Sequence, residues 1–327
     1  MTRWNALVGF LPVGFVLAFG PTPALSADGI STIRHHDLVV CLPRNAGVIA
    51  GRRVQGGSGF DFRVAEEVAT RLGFDLDIIW FEDEREEESN PLRETYAMLS
   101  YGLCDVVPGH PRYAGAVGSP SYDRASLPRW LGMPQEIDAS TGFLQDRLAG
   151  FVDVAPIAVT KGYMRSTIGL VYRDGTPEPT DLGDLGGRGL AFQQGTLSGA
   201  IAMIQLTSGD RARARHFNPG STFLWEVETS NAELAIVDIA AFDSYRKSNP
   251  ATRLKLGKWR HPLGIDIGMA VLASNTELVE AIDRVLHDIL GEGRMNDLAE
   301  AEGLTYTPPQ SDELTSQFTL QTLLTSP

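Results

Sequence analysis

The sequence predicts an α/β protein made of two lobes, each on an open, mostly parallel sheet. Three observations carry that expectation. Strand, helix, strand, helix and strand alternate from Leu38 to Val107. A second, smaller series of the same kind runs from Ile168 to Tyr245. A further strand at Ile265–Leu272 then returns, followed by a helix with one apolar stripe.

The N-terminus reads as a secretory signal peptide over residues 1–27. Arg3 gives a positive start, Ala6 to Gly20 is apolar and uncharged, Pro21 and Pro23 break the run, and small residues follow at Ala24, Ser26 and Ala27. The run is short for a membrane span. Export to the periplasm is therefore expected, with cleavage after Ser26 or Ala27. About 300 residues remain, enough for two medium domains. With 43% hydrophobic and 21% charged residues they can bury a sizeable core. The net charge of −13 argues against a nucleic-acid partner, which would require a basic face.

Leu38–Leu42 is a continuous apolar run and reads as a buried strand. Val64, Val68 and Leu72 then recur at helical spacing, with Asp61 at the helix start and Gly73 at its end. Phe74–Phe81 is the next strand. The acidic run Glu82–Glu88 lacks the spacing of a calcium loop and reads as a solvated segment. Asn90 and Pro91 start another helix, carried by Leu92, Tyr96 and Leu99 and stopped at Gly102. Leu103–Val107 is expected as the third strand. Residues 108–156, rich in Gly, Pro and Ser, show no clear periodicity, and such a stretch usually carries function or is mobile.

In the second series Ile168–Tyr172, Gly189–Gln193 and Glu233–Val237 are strands. The turn from Gly195 to Gly199 opens one helix, and Asp238 precedes another. Asn275 caps the striped helix of Leu278, Ile282, Val285 and Ile289, and a last short helix lies within Gly291–Gly303. Beyond Pro308 the chain is polar and reads as a loose tail. Cys41 and Cys104 are the two cysteines. An oxidising compartment allows them to pair, and their apolar surroundings equally suit two buried free thiols. Without nearby histidines they make a poor zinc site, and no cofactor is implied.

Several of these stretches, in this order, resemble family 3 periplasmic solute-binding proteins. Gly59-Phe60-Asp61-Phe62-Arg63-Val64-Ala65 looks like that family's helix start. Asp184-Leu185-Gly186-Gly187-Arg188 with Phe192 to Thr196, Glu233 to Asp238, Gly264 to Val271, and Gly291 to Gly303 follow in family order. The resemblance implies the type II periplasmic binding fold with two hinge crossings. Lobe 1 would take residues 34–166 plus 263–310, with an insertion at about 113–158. Lobe 2 would take 167–262, and 311–327 would be the tail. A narrower similarity is to the subset associated with quinoprotein (PQQ-dependent) methanol and alcohol dehydrogenases. It rests on Leu103 to Gly109, on Thr160 to Thr167 and on Val171-Tyr172-Arg173, and Cys41 fits that subset's cysteine. That subset's loop after strand one is replaced here by Arg44 to Ser58.

Ligands of open α/β sheets sit beyond the carboxyl ends of strands and at helix N-termini. That rule, with the resemblance, selects Asn45, Asp61, His110, Arg112, Arg165, Thr196, Ser198 and Asp238 as candidate ligand contacts. Thr196 and Ser198 offer hydroxyls at a helix N-terminus, or simply cap it. Asp238 stands where the family often holds an ammonium group, or caps its own helix. The family's carboxylate-binding arginine would fall near Val117, and Arg112 and Arg165 are the nearest substitutes. Lone His110 and His216 lack partners at metal-ligand spacing, and no hydrolase or zinc-protease motif appears.

The expected function is binding of a small polar solute by hinge closure, for delivery to an ABC permease, by a monomer that is not an enzyme. The alternative is an accessory protein that uses the same fold to contact a periplasmic quinoprotein dehydrogenase or its cytochrome c. A dehydratase-like enzyme, with Asp61 and Asp238 as acid and base, is a third reading.

Overall fold

The computed structural model describes residues 29–54, 56–82, 91–137, 144–146, 151–183, 185–218, 223–229 and 232–316. The expected signal peptide, the bulk of the acidic run, Asn90, Asp184 and the end of the polar tail lie outside these residues.

The first series folds as its periodicity predicts. Strand β1 (Asp37–Pro43) is buried through its centre because its apolar run is covered on both faces. Helix α1 (Phe60–Leu72) turns Val64, Val68 and Leu72 inward and ends at Gly73, whose φ of 77° closes the last turn. Strand β2 (Asp75–Phe81) pairs in parallel with β1, so the unit is a βαβ crossover. Helix α2 (Pro91–Tyr101) follows.

The third strand is displaced from its expected place. Leu103–Asp105 makes no ladder, Val106 forms one parallel bridge with Val40, and β3 is Val107–Pro111. The physical reason is local. Asp105 accepts the N–H groups of Ile33 and Val39 on its carboxylate, and Cys104 is disulfide-bonded to Cys41. The two cysteines therefore pair, with Cα atoms 5.7 Å apart. These ties fix the chain crosswise before it turns into β3.

The hinge strands are long. After β4 (Ile157–Val159), β5 (Met164–Arg173) runs out of lobe 1 into lobe 2. There β6 (Leu190–Gln193) pairs in parallel with both β7 (Arg215–Phe217) and β8 (Leu234–Asp238). Helix α3 (Leu197–Gln205) follows β6, and α4 (Ile239–Ser248) follows β8. Strand β9 (Leu254–Leu272) returns from lobe 2 to lobe 1, far longer than the Ile265–Leu272 expected. It pairs antiparallel with β5, β3 and β4. Parallel strands thus form the interior of each lobe, and antiparallel β5 and β9 join them. Helices α5 (Thr276–Gly291) and α6 (Arg294–Glu302) close the fold on lobe 1.

Among the described residues, buried apolar side chains fall into four clusters. Two lie in lobe 1, around Phe60, Leu72 and Ile282 and around Met98, Leu99 and the disulfide. Two lie in lobe 2, around Phe192 and Leu170 and around Phe242 and Val227. The stretch with no periodicity forms short ribbons, Arg124–Ala125 with Val152–Asp153 and Gln135–Ile137 with Leu144–Asp146, which explains its unreadable pattern.

The expectation of a loose tail beyond Pro308 is overturned for residues 310–315. Arg112 donates from Nε to Thr160 O and from its two terminal nitrogens to Ser311 O and Asp312 O, all at 2.8 Å. Asp266 accepts the N–H groups of Gln310 and Ser311. Thr307 O accepts from Arg165 N, and Thr315 pairs with Tyr113. The segment is a strap across both hinge strands, held by backbone groups that a composition reading does not register.

Candidate functional site

Asp61 lies in the first turn of α1, Thr196 caps α3, and Asp238 joins the carboxyl end of β8 to α4. Three groupings of side chains form around them.

The first centres on Asp61. The Tyr163 hydroxyl donates to Asp61 Oδ1 at 2.7 Å and accepts the Gly109 N–H at 2.8 Å. Gly109 has a φ of 79°, and a Cβ there would sit 3.2 Å from Asp61 Oδ2, so glycine lets β3 lie directly over the carboxylate. Burial pushes the Asp61 carboxyl up to about 7, against the lowering effect of the Tyr163 hydrogen bond. The tyrosine was not among the sequence candidates, although it lies within the Thr160–Thr167 stretch that carried part of the resemblance.

The second grouping is Asp238. It caps α4 by accepting the Ala240 N–H at 3.0 Å, and it accepts a hydrogen bond from the Ser166 hydroxyl on β5. Burial raises its pKa. The third is the start of α3. Thr196 Oγ1 accepts the Gly199 N–H at 3.0 Å, donates to Gln193 O, and lies 3.0 Å from Ser198 Oγ. The hydroxyls expected here are both present, and Thr196 is committed to the cap.

The remaining candidates lie apart from these groupings. Asn45 is exposed and bridges Gly51 in the loop after β1. His110 is buried, its Nε2 lies 2.7 Å from Ala116 O, and burial lowers its pKa to about 4, which keeps it neutral. Arg165 pairs with Asp266 at 2.8 Å with both side chains nearly buried. Arg112 spends its fork on three backbone carbonyls, as described above. Both arginines brace the hinge and its strap. Ser166, Tyr163 and Asp266 are the polar residues that the motif reading passed over. They stand on hinge strands or crossings, where strand periodicity hides a polar role.

The lobes touch where α4 meets the β1–α1 loop. Val48 N–H donates to Ser244 Oγ at 3.1 Å, and Ala240 packs on the lobe 1 core. Buried Asp243 accepts the Thr305 N–H at 2.6 Å, and Lys247 pairs with Glu302 at 2.9 Å. Among the described residues no group of three or more metal-ligating side chains forms, and no helix is long and apolar enough to cross a membrane.

No protein-family model matches the chain, and no curated protein matches it by sequence. Solved structures do match. The L-cystine solute receptor of Neisseria gonorrhoeae, unliganded and open, aligns with TM-score 0.55 at 18% identity, over 85% of this chain and 98% of that one. The fold is the two-lobed periplasmic binding fold. An ancestral cationic amino acid solute-binding protein aligns with TM-score 0.54 at 15% identity, over 83% and 97% of the two chains. A histidine kinase sensor domain with similarity to periplasmic binding proteins aligns with TM-score 0.53 at 15% identity, over 84% and 99%. The same periplasmic binding fold thus serves both solute receptors and a sensor domain among these neighbours.

Proposed function

We propose that the chain is an exported solute-binding protein whose two lobes close on a small polar solute and present it to an ABC permease. The observation that carries this reading is the pair of carboxylates, Asp61 and Asp238, at strand and helix ends of the two-lobed fold, one contributed by each lobe. The L-cystine receptor and the cationic amino acid binder with this fold support an amino-acid-like or amine solute. Asp238 is the residue we assign to a ligand ammonium group. Thr196 and Ser198 are assigned to the polar rim of the site. Arg112 and Arg165 are assigned to the hinge and not to the ligand, because their guanidinium groups are spent within the chain. Binding and not catalysis is the proposed activity.

The test is a thermal-shift screen of the mature protein against amino acids, small carboxylates and amines, followed by calorimetry. An amine-bearing solute should stabilise the protein, and Asp238→Asn should weaken it at least tenfold, the loss of one charge-assisted hydrogen bond. Absence of any stabilising solute sinks the transport reading.

A second reading is favoured by one observation. The insertion region exposes Leu131 and Phe151 and sets Trp130 beside exposed Tyr101, with ring centroids 6.4 Å apart. Those side chains suit contact with a periplasmic quinoprotein dehydrogenase or cytochrome c. Pull-down of such a partner, lost in Leu131→Asp with Phe151→Asp, decides for the accessory role.

A further inference from the structure

The chain carries a net charge of −13, yet one pole of lobe 2 is positive. Arg173 ends β5, Gly189 and Glu233 precede β6 and β8, and Arg215 begins β7. Because β5 is antiparallel to β8, and β6, β7 and β8 are parallel, these positions share one end of the sheet. The opposite end bears Thr196 and Asp238. The two places are therefore separated by the length of the strands.

A cavity of about 510 Å³ opens at this pole. Its walls include Arg173, Arg213, Arg215, Glu233, Gly187 and Gly189. The guanidinium of Arg213 lies over Gly187, where a Cβ would stand 3.8 Å from Nη2, and it pairs with Asp210 at 3.3 Å. Glu233 Oε2 accepts the Gly189 N–H at 3.3 Å. The neighbouring carboxylate of Asp174 is taken by Lys255 at 2.8 Å. Arg173 and Arg215 have no acidic partner among the described residues. Three guanidinium groups thus line the cavity against one carboxylate, and the acids among the described residues leave two of them unmatched.

We propose that this pole is an anion site for a phosphate monoester dianion, separate from the inter-lobe site and independent of it. Arginine forks match the oxygens of a tetrahedral anion by paired N–H···O bonds. Glycine at two wall positions lets an oxyanion come close to the backbone. A mainly positive lining in a recess concentrates the field locally, even on an acidic protein. The two unmatched positive charges call for a doubly negative group, which a phosphate monoester supplies and a simple monocarboxylate does not. The ester is either a free solute or the headgroup of a lipid, since both present the same three oxygens.

Calorimetry of the mature protein with inorganic phosphate and glycerol 3-phosphate tests the site, alongside flotation with phosphatidic acid or phosphatidylcholine vesicles. One-to-one phosphate binding is expected, weakening with added salt because the contact is electrostatic. Arg173→Gln and exposed Arg215→Gln should each reduce it at least tenfold. Asp238→Asn should leave it unchanged, which keeps this result distinct from the fate of the inter-lobe site. Flotation with phosphatidic acid alone, with no uptake of free phosphate and loss in both variants, assigns the headgroup as the source. Succinate binding as tightly as phosphate, phosphate binding unaltered in both variants, or binding of neither probe overturns the proposal.

Discussion

Asp61 and His110 are two buried titratable groups of lobe 1 whose effects on stability run in opposite directions. Burial holds the Asp61 carboxyl at about 7, far above its value in an unfolded chain. The folded state therefore grips that proton more tightly. The stabilisation is complete below the unfolded value and is lost as pH rises through about 7, at most about 4 kcal/mol. His110 is held at about 4, below its unfolded value. Its contribution is present above the unfolded value and is lost as pH falls toward 4. The two slopes oppose each other between pH 4 and 6.5. Asp61→Asn removes one of them. The difference in melting temperature, variant minus wild type, should rise from pH 4 to about pH 7 and level off above it. A difference independent of pH would show that the Asp61 carboxyl is ionised as in water.

At the level of elements, the strap is the feature whose strength is easiest to measure. Arg112→Ala leaves the carbonyls of Thr160, Ser311 and Asp312 without their donor at the edge of a packed hinge. Each buried group left unsatisfied costs about 1–3 kcal/mol, with water recovering part of it at the two strap positions. A loss of about 3 kcal/mol in urea unfolding is expected, with faster amide exchange at Gln310 and Ser311. Unchanged exchange there would mean the strap does not depend on the arginine. The same elements show what the sequence could and could not reveal. Helix α5 was legible because Leu278, Ile282, Val285 and Ile289 repeat at helical spacing and Asn275 caps it through Leu278 N–H. The third strand was not, because an apolar run at Leu103–Val107 says nothing of a disulfide and an Asp105 clamp that hold it out of register. The candidate site residues split likewise. Asp61 and Asp238 stand at helix starts, which sequence marks, whereas Tyr163 and Ser166 act across 102 and 72 residues of chain. No local pattern encodes such contacts.

For the whole molecule, the telling contact is between the lobes. Gly47 has a φ of 65°, and a Cβ there would fall 2.2 Å from Ser244 Oγ. A side chain at this point both strains the backbone and drives α4 off the β1–α1 loop. Gly47→Val should therefore open the lobes, read as an increased radius of gyration in small-angle scattering without loss of secondary structure. An unchanged radius would show that the loop yields instead of the hinge. The strap adds a consequence in time. Residues 307–315 follow both hinge strands in the chain, so during synthesis Arg112 and Asp266 wait for their backbone partners. Each lobe can gather most of its interior earlier, and the joint between them is braced only once the strap has been made.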